Sequence, residues 1–230
     1  MKLSVVLATH NEAANITNCL KSVKSIADEV IVVDGESTDN TVALARKIGA
    51  KVYEVKNQPM FHINKQIALQ KAGSTWILQL DADEMLDATL RQSIRGVLKS
   101  NPPENGFYLK RKNFFLGRLL KKGGQYPDPV IRLVRRGKAY FPQKSVHDSN
   151  RYTSLTAQKL KADRVSLSFL NWINYVVIKP TATFLKLYLR HQGWLDGFPG
   201  FVFALFSGLH WPVAFMKYWE LVNVKPVIRK

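Results

Sequence analysis

The 230-residue chain has a single cysteine, Cys19. That excludes an intrachain disulfide framework and suits a reducing compartment; on a helix without basic neighbours the thiol reads as packing, not nucleophile. Acidic residues are also scarce, 17 against 34 Lys and Arg, for a net charge of +17. The shortage is local. Residues 1–100 hold 12 basic and 11 acidic side chains, whereas residues 101–230 hold 22 and 6. Such a basic second half implies a polyanionic partner, either nucleic acid or an anionic membrane face. Zinc spacing, an RNA-recognition signature and a basic helix are all missing, so a nucleic-acid partner is not expected. Met1-Lys2-Leu3 runs straight into a strand-like segment, so no secretory leader is expected and the location reads as cytoplasmic.

The first hundred residues alternate β-rich runs with helical patterns. The runs are Leu3–Ala8, Val30–Val33, Lys51–Val55 and Trp76–Leu80; between them lie apolar residues at helical spacing in 12–26, 38–48 and 61–72. Short connections between such elements imply a parallel α/β sheet with right-handed crossovers. Ligands on such sheets bind outside the carboxyl ends of the strands.

Three polar groups fall at those ends. Thr9-His10-Asn11-Glu12 follows the first run, where Thr9 or Asn11 is either a helix cap or a ligand contact. Asp34 ends the second, with Gly35 allowing a tight turn and Ser37 or Thr38 able to cap the next helix. A carboxylate in Asp34's position is placed to accept hydrogen bonds from ribose hydroxyls or a base N–H. Asp81-Ala82-Asp83-Glu84 follows the fourth run. On an extended segment residues 81 and 83 face one side, and two hard oxygen ligands suit Mg²⁺ or Mn²⁺ shared with water and a diphosphate. The alternative is an acidic helix start.

These segments, with Val32-Val33-Asp34-Gly35-Glu36-Ser37-Thr38-Asp39-Asn40-Thr41 between them, resemble a family 2 glycosyltransferase of the GT-A fold. The resemblance implies that Thr9, Asn11, Glu12 and Asp34 touch the nucleotide of a nucleotide-sugar, with a UDP-hexose the expected donor. It also implies that Asp83, helped by Asp81, holds the divalent ion on the diphosphate. Lys65 reads as part of a solvated helix face, while the family often has a basic residue nearby approaching the donor diphosphate.

Residues 106–148 read as strands and turns: Gly106–Lys110, a loop through Gly123-Gly124, Val130–Val134 and Lys138–Phe141. Transfer to a hydroxyl needs a carboxylate to take its proton, and with Asp81 and Asp83 assigned to the diphosphate, Asp128 is the candidate. The alternative for Asp128 is a turn residue. His147 reads as a third metal ligand, a diphosphate contact or a structural histidine; Asp148 either orients it or caps a turn, and is the second candidate base. The runs 111–118, 123–128 and 146–148, with Arg132-Leu133, resemble the bacterial lipopolysaccharide-core β-glucosyltransferase branch. Gln125 stands where that branch commonly has an aromatic and Asp148 where it has Glu. The implied reaction is metal-dependent and inverting: a hexose moves to a lipid-linked glycan, with a polyprenyl phosphate, capsule or glycoprotein acceptor as the alternative.

From Ser166 the chain turns aromatic and aliphatic with scattered basic residues. The uncharged run 198–216 is long enough to span a membrane. Pro199, Gly200, Gly208, His210 and Pro212 point instead to broken helices lying in the interface, flanked by basic residues suited to an anionic leaflet. Packing on the catalytic core or on another copy of the chain is the alternative. The segment Arg190–Gly197 also resembles the family branch, without an evident role. The expected division is a nucleotide-sugar-binding half (1–100), an acceptor half (101–165) and a helical extension (166–230) holding the protein peripherally on the inner face of the cytoplasmic membrane.

Overall fold

A computed structural model describes residues 1–58, 61–141 and 149–223, without the side chains of residues 61 and 149–151. His147 and Asp148, and Lys225, Arg229 and Lys230 after the apolar run, lie outside the described residues. The chain divides into two compact units, one of residues 1–109 and 130–145, the other of 110–129 and 146–230.

In the first unit the expected alternation is present: β1 (Leu3–Thr9), α1 (Ile16–Val23), β2 (Glu29–Asp34), α2 (Thr41–Ile48), β3 (Lys51–Glu54), α3 (Phe61–Lys71), β4 (Trp76–Leu80) and α4 (Ala88–Ser100). β5 (Gly106–Arg111), β6 (Phe114–Phe115), β7 (Arg118–Leu119) and β8 (Asp128–Arg135) follow. The main sheet runs β3-β2-β1-β4-β8-β5, with β1 parallel to both β2 and β4, and β8 antiparallel to β4. This is the mostly parallel, helix-flanked sheet expected from the sequence. The chain moves one way from β1 to β2 and β3, then returns to place β4 on the other side of β1. The gap between β1 and β4 is therefore the topological switch point where such sheets open a crevice.

Period-two alternation decides which helix each strand residue meets. Leu3, Val5, Leu7, Trp76 and Leu78 join Ile16, Cys19, Leu20, Val23 and Ile94 in one cluster, while Val6, Ile31, Val33 and Ile77 join Ala68 and Leu69 in another. α1 buries Ile16, Cys19, Leu20 and Val23, the i, i+3, i+4, i+7 stripe of an amphipathic helix. α2 stops at Gly49, whose φ of 98° sends its N–H back to the carbonyls of Ala45 and Arg46. The Asp87 side chain caps α4 by accepting from Leu90 N at 2.8 Å.

One expected strand is absent: Lys138–Phe141 is irregular. Lys138 N closes a turn onto Arg135 O through Gly137 (φ 77°), and Phe141 N donates to the Gln66 side chain instead of a neighbouring strand.

In the second unit β6 and β7 form a hairpin through Leu116 (φ 49°) and Gly117 (φ 74°), the left-handed pair a two-residue loop requires. α5 (Ser149–Ala162), α6 (Phe169–Ile173), a π-helical turn 174–178, α7 (Lys179–Leu185), a second π-helical turn 186–190 and a 3₁₀ turn 193–196 lead to α8 (Phe198–Asn223). The expectation of broken helices fails here, because α8 runs unbroken through Pro212. Pro212 forfeits one ladder bond, but it is buried, and α8 is held along its length. Trp211 Nε1 donates to Thr183 Oγ1 (3.0 Å), Tyr218 Oη donates to Val165 O (2.5 Å), and Phe215 and Tyr218 join Ala157, Leu160 and Tyr175 in a core. Tertiary contacts outweigh local propensity. Small residues make the close approaches possible: a Cβ on Gly208 would lie 2.8 Å from Pro180 O, and one on Gly200 would overlap Gly193 O.

Gly200→Ala is expected to destabilise the protein by about 1–3 kcal/mol. Gly96→Ala, exposed in mid-α4 with nothing within 4 Å of the added Cβ, is expected to stabilise it by roughly 0.5–1 kcal/mol. Urea unfolding midpoints of the two variants check the pair, and a tolerated alanine at 200 would show the contact to be loose.

Candidate functional site

The sheet register sets the site. Thr9 stands opposite Asp34 on the β1–β2 pair, and Leu7 opposite Leu80 on the β1–β4 pair, so three strands end together. Segments 9–13, 34–41 and 81–84 leave from those ends.

The first two segments form one hydrogen-bonded network. Asp34 is buried; its Oδ2 accepts from Thr9 Oγ1 (2.9 Å) and Ser37 Oγ (2.6 Å), and its Oδ1 from Ser37 N (2.8 Å). His10 Nδ1–H donates to Gly35 O (2.7 Å), Asn11 N to Ser37 Oγ (2.8 Å), and Thr38 N to Asn11 Oδ1 (2.8 Å). Glu12 N donates to Thr41 Oγ1 (2.7 Å) and Ala13 N to Asp39 Oδ2 (3.1 Å). Thr9 and Asn11 thus fasten two loops together, and neither caps α1, which starts only at Ile16 after Asn15. Asn11 (φ 55°) and Glu36 (φ 58°) adopt the left-handed region, Glu36 while accepting from Asn57 N at 3.0 Å. Backbone strain held by surrounding bonds is characteristic of ligand-binding loops.

The third segment is a turn, not a strand. β4 stops at Leu80, and Glu84 N donates to Asp81 O (3.0 Å). The extended geometry expected for 81–83 is therefore replaced by a turn, and the two carboxylates differ in surroundings. Asp81 pairs with Lys65 and with Arg132 Nη2 (2.7 Å), and Arg132 also holds Glu84 Oε1 (2.6 Å) and the Gln79 side-chain oxygen. Burial pushes the Asp81 carboxyl up, but the charges of Lys65 and Arg132 overcome it and hold the group at about 2. Asp83 is exposed and takes part in no hydrogen bond or ion pair among the described residues. Burial, followed by Glu84, Asp83 and Asp81, pushes the Cys19 thiol up to about 12, so it stays protonated and unreactive.

Lys65 corrects an expectation. It is only 7% exposed and faces Asp81, so it does not belong to a solvated helix face. Arg132, without a role in the sequence reading, is the centre of the turn. Its signal was legible: an arginine inside the apolar run Val130–Val134 needs a carboxylate partner if buried.

In the second unit Asp128 opens β8. Its Oδ2 accepts from Arg111 Nε (3.1 Å) and Nη2 (2.7 Å) and from Asn113 Nδ2 (3.0 Å), which fixes the carboxylate's orientation.

No group of three or more His, Cys, Asp or Glu gathers as a metal cage among the described residues. Both oxygens of Asp81 face cations, Lys65 and Arg132, which leaves the exposed Asp83 as the carboxylate of this turn whose chemistry fits a hard cation that keeps water and phosphate oxygens for its other positions.

Residues 4–104, the segment running from β1 through α4, match the sequence profile of glycosyl transferase family 2. The chain is similar to the lipopolysaccharide core biosynthesis glycosyltransferase LpsC of Rhizobium meliloti, 25% identical over 91% of this chain and 89% of that protein. An uncharacterized glycosyltransferase of Rickettsia felis is 46% identical over 44% of this chain and 35% of its own length. One of Rickettsia typhi is 35% identical over 64% and 52%. The chain thus spans about a third to a half of the length of these Rickettsia relatives. Among solved structures, glucosyl-3-phosphoglycerate synthase of Mycobacterium tuberculosis with Mn²⁺ and uridine diphosphate overlaps 42% of this chain and 39% of that one, with 24% identity and a TM-score of 0.35.

Removing Arg132 leaves Asp81 and Glu84 short of a buried partner, so Arg132→Met is expected to destabilise by about 3–5 kcal/mol. Asp83→Asn is expected to stay within about 0.5 kcal/mol of wild type. Chemical denaturation in a chelator checks both, and equal effects would contradict the division between a structural Asp81 and a free Asp83.

Proposed function

We propose that the chain is a metal-dependent, inverting glycosyltransferase moving a hexose from a nucleotide-sugar to an anionic, lipid-linked glycan. The observation carrying this reading is the meeting of 9–13, 34–41 and 81–84 at the carboxyl ends of adjacent parallel strands. Similarity to LpsC favours a lipopolysaccharide core acceptor; a polyprenyl phosphate, capsule or glycoprotein acceptor is the second reading. The division into donor half, acceptor half and helical extension belongs to the same proposal.

In this reading the 9–13 and 34–41 loops cradle the nucleotide, with Asn11 and Glu12 at its edge and Asp34 keeping the cradle in shape. Asp83 is the carboxylate available to Mg²⁺ or Mn²⁺, which when bound neutralises charge on the departing diphosphate. Asp81 is held by Lys65 and Arg132, and Lys65 supplies a cation to the donor. Asp128 accepts the proton of the attacking hydroxyl, and Arg111 and Asn113 fix the direction from which it does so. Attack from the face opposite the leaving diphosphate inverts the anomeric centre. His147 and Asp148 remain candidates for metal contact and alternative base.

A panel of nucleotide-sugars with Mg²⁺ or Mn²⁺ tests the donor assignment by thermal shift and turnover. Stabilisation that disappears in chelator and in Asp83→Asn is expected; stabilisation indifferent to metal would overturn it. Asp128→Asn is expected to keep the thermal shift while transfer falls by about 10²–10⁴-fold, and wild-type turnover would move the base to another residue.

The helical extension is proposed to lie peripherally on the inner, anionic face of the cytoplasmic membrane. α8 is long and apolar enough to cross a membrane by length and composition, yet only 28% of its most apolar stretch is buried. Phe198, Leu205, Phe206, Leu209 and Met216 are exposed on one side of it, and Phe169 and Leu170 are 74% and 77% exposed. Such an apolar surface with Lys179, Lys186 and Arg190 in the preceding helices suits an anionic bilayer interface. Leu170→Glu with Phe206→Glu, both exposed, should lower binding to phosphatidylglycerol vesicles by at least about tenfold. Unchanged binding sinks the interfacial reading, and dimers lost in the double variant would assign the face to a second copy.

A further inference from the structure

We infer that Asp196 is a positioning residue for Asp128: it holds the loop 120–125 that seats Asn113 against the Asp128 carboxylate. The inference rests on the reading of Asp128 as the base, and it gives a task to the segment 190–197, for which the sequence offered no role.

Asp196 closes the 3₁₀ turn 193–196 and is 4% exposed. Its Oδ1 accepts from Lys121 N (3.0 Å) and its Oδ2 from Lys122 N (2.9 Å). It takes part in no ion pair among the described residues. Burying a carboxylate without a cation is costly. What offsets the cost is a pair of charge-assisted bonds to two successive amides, which fix the direction of the backbone as well as its position. Two further bonds clamp the same stretch: Gly123 N donates to His191 O (2.8 Å), and Lys122 Nζ donates to Gln192 Oε1 (2.7 Å).

From that clamp the hydrogen bonds run to the base. Leu120, buried and next to Lys121, donates its N–H to Asn113 O (2.9 Å). Gln125 N donates to Lys122 O (3.1 Å), and Asn113 Nδ2 reaches both Gln125 O (3.4 Å) and Asp128 Oδ2 (3.0 Å). Asn113 is therefore fixed at its backbone by residue 120 and at its side chain by residue 125, one on each side of the pair that Asp196 holds. Proton transfer to a carboxylate is sensitive to the placement of the accepting oxygen. The segments 9–13, 34–41 and 81–84 belong to the first unit, so loosening this brace bears on transfer and not on donor binding.

The test uses the full chain, with UDP-glucose and Mn²⁺ as donor and deacylated lipopolysaccharide core as acceptor. Asp196→Asn keeps one acceptor oxygen for two amides. It is expected to lower kcat by about 10–10²-fold while leaving the thermal shift with UDP-glucose at the wild-type value. In the Asp128→Asn background the same substitution is expected to lower kcat no further, because the group it positions is already gone. Equal losses in both backgrounds overturn the inference, since a general loosening of the fold acts whether or not the base is present. Two measurements need no turnover. The side-chain carboxyl ¹³C resonance of Asp128, identified by its loss in Asp128→Asn, is expected to move in Asp196→Asn and to stay in place in Lys122→Ala, which keeps the backbone N–H. An unmoved resonance in Asp196→Asn overturns the inference. In the wild-type chain the Lys121 and Lys122 amides are expected to exchange with solvent about tenfold or more slower than that of Gly124. Equal exchange overturns the hold itself, even if Asp196→Asn does not fold. Wild-type turnover by Asp128→Asn would remove the base assignment alone, with the carboxyl resonance still deciding whether Asp196 positions that side chain.

Discussion

The register of β1 is the constraint on which the rest of the site depends. Because β1 pairs in parallel with β2 on one side and β4 on the other, Thr9 meets Asp34, and Leu80 ends beside Leu7. A one-residue slip would turn Leu3, Val5 and Leu7 to the face now filled by Val6 and exchange two cores of different shape. Burial on both faces therefore fixes the register, and the register delivers three polar segments to one edge. The positions of Asp34 and Asp81 follow from hydrophobic packing several residues away.

At that edge the carboxylates have separate tasks. Asp34 is consumed by hydrogen bonds that close the 9–13 and 34–41 loops on each other. Asp81 is balanced by Lys65 and Arg132, two cations that are themselves nearly buried. Their charges hold it ionised against burial. Asp83 alone of the three stands in solvent. Rigid support next to one exposed carboxylate is what a site needs if a metal and a diphosphate are to arrive together.

The second unit repeats the device with different chemistry. Two carboxylates, Asp128 and Asp196, hold opposite parts of one basic loop, the first through Arg111 and Asn113, the second through two backbone amides. α8 supports it through glycine contacts too close for any side chain. Its outward side stays apolar and exposed, because inward and outward positions are both hydrophobic and only one of them has a partner.

The sequence by itself determined the parallel α/β architecture, since alternating β-rich and helical periods leave few other arrangements, and it placed Thr9–Glu12, Asp34 and Asp81–Glu84 at strand ends. It also carried the family resemblance, because those motifs are local and contiguous. What it left open were properties set by distant partners. Asp81 and Asp83 look equivalent at spacing i, i+2, and only the turn after Leu80, with Arg132 arriving from β8, separates them. Lys65 reads as solvent-facing until α3 is laid against the sheet. α8, apolar all round and interrupted by Pro212, gives no periodicity from which to choose a face or an end; contacts from α5 and α7 made it one helix. Asp196 had no legible purpose because its partners, the amides of Lys121 and Lys122, lie 75 and 74 residues away. Local chemistry is written in the chain, whereas the pairing of buried charges and of close backbones exists only once the chain has folded.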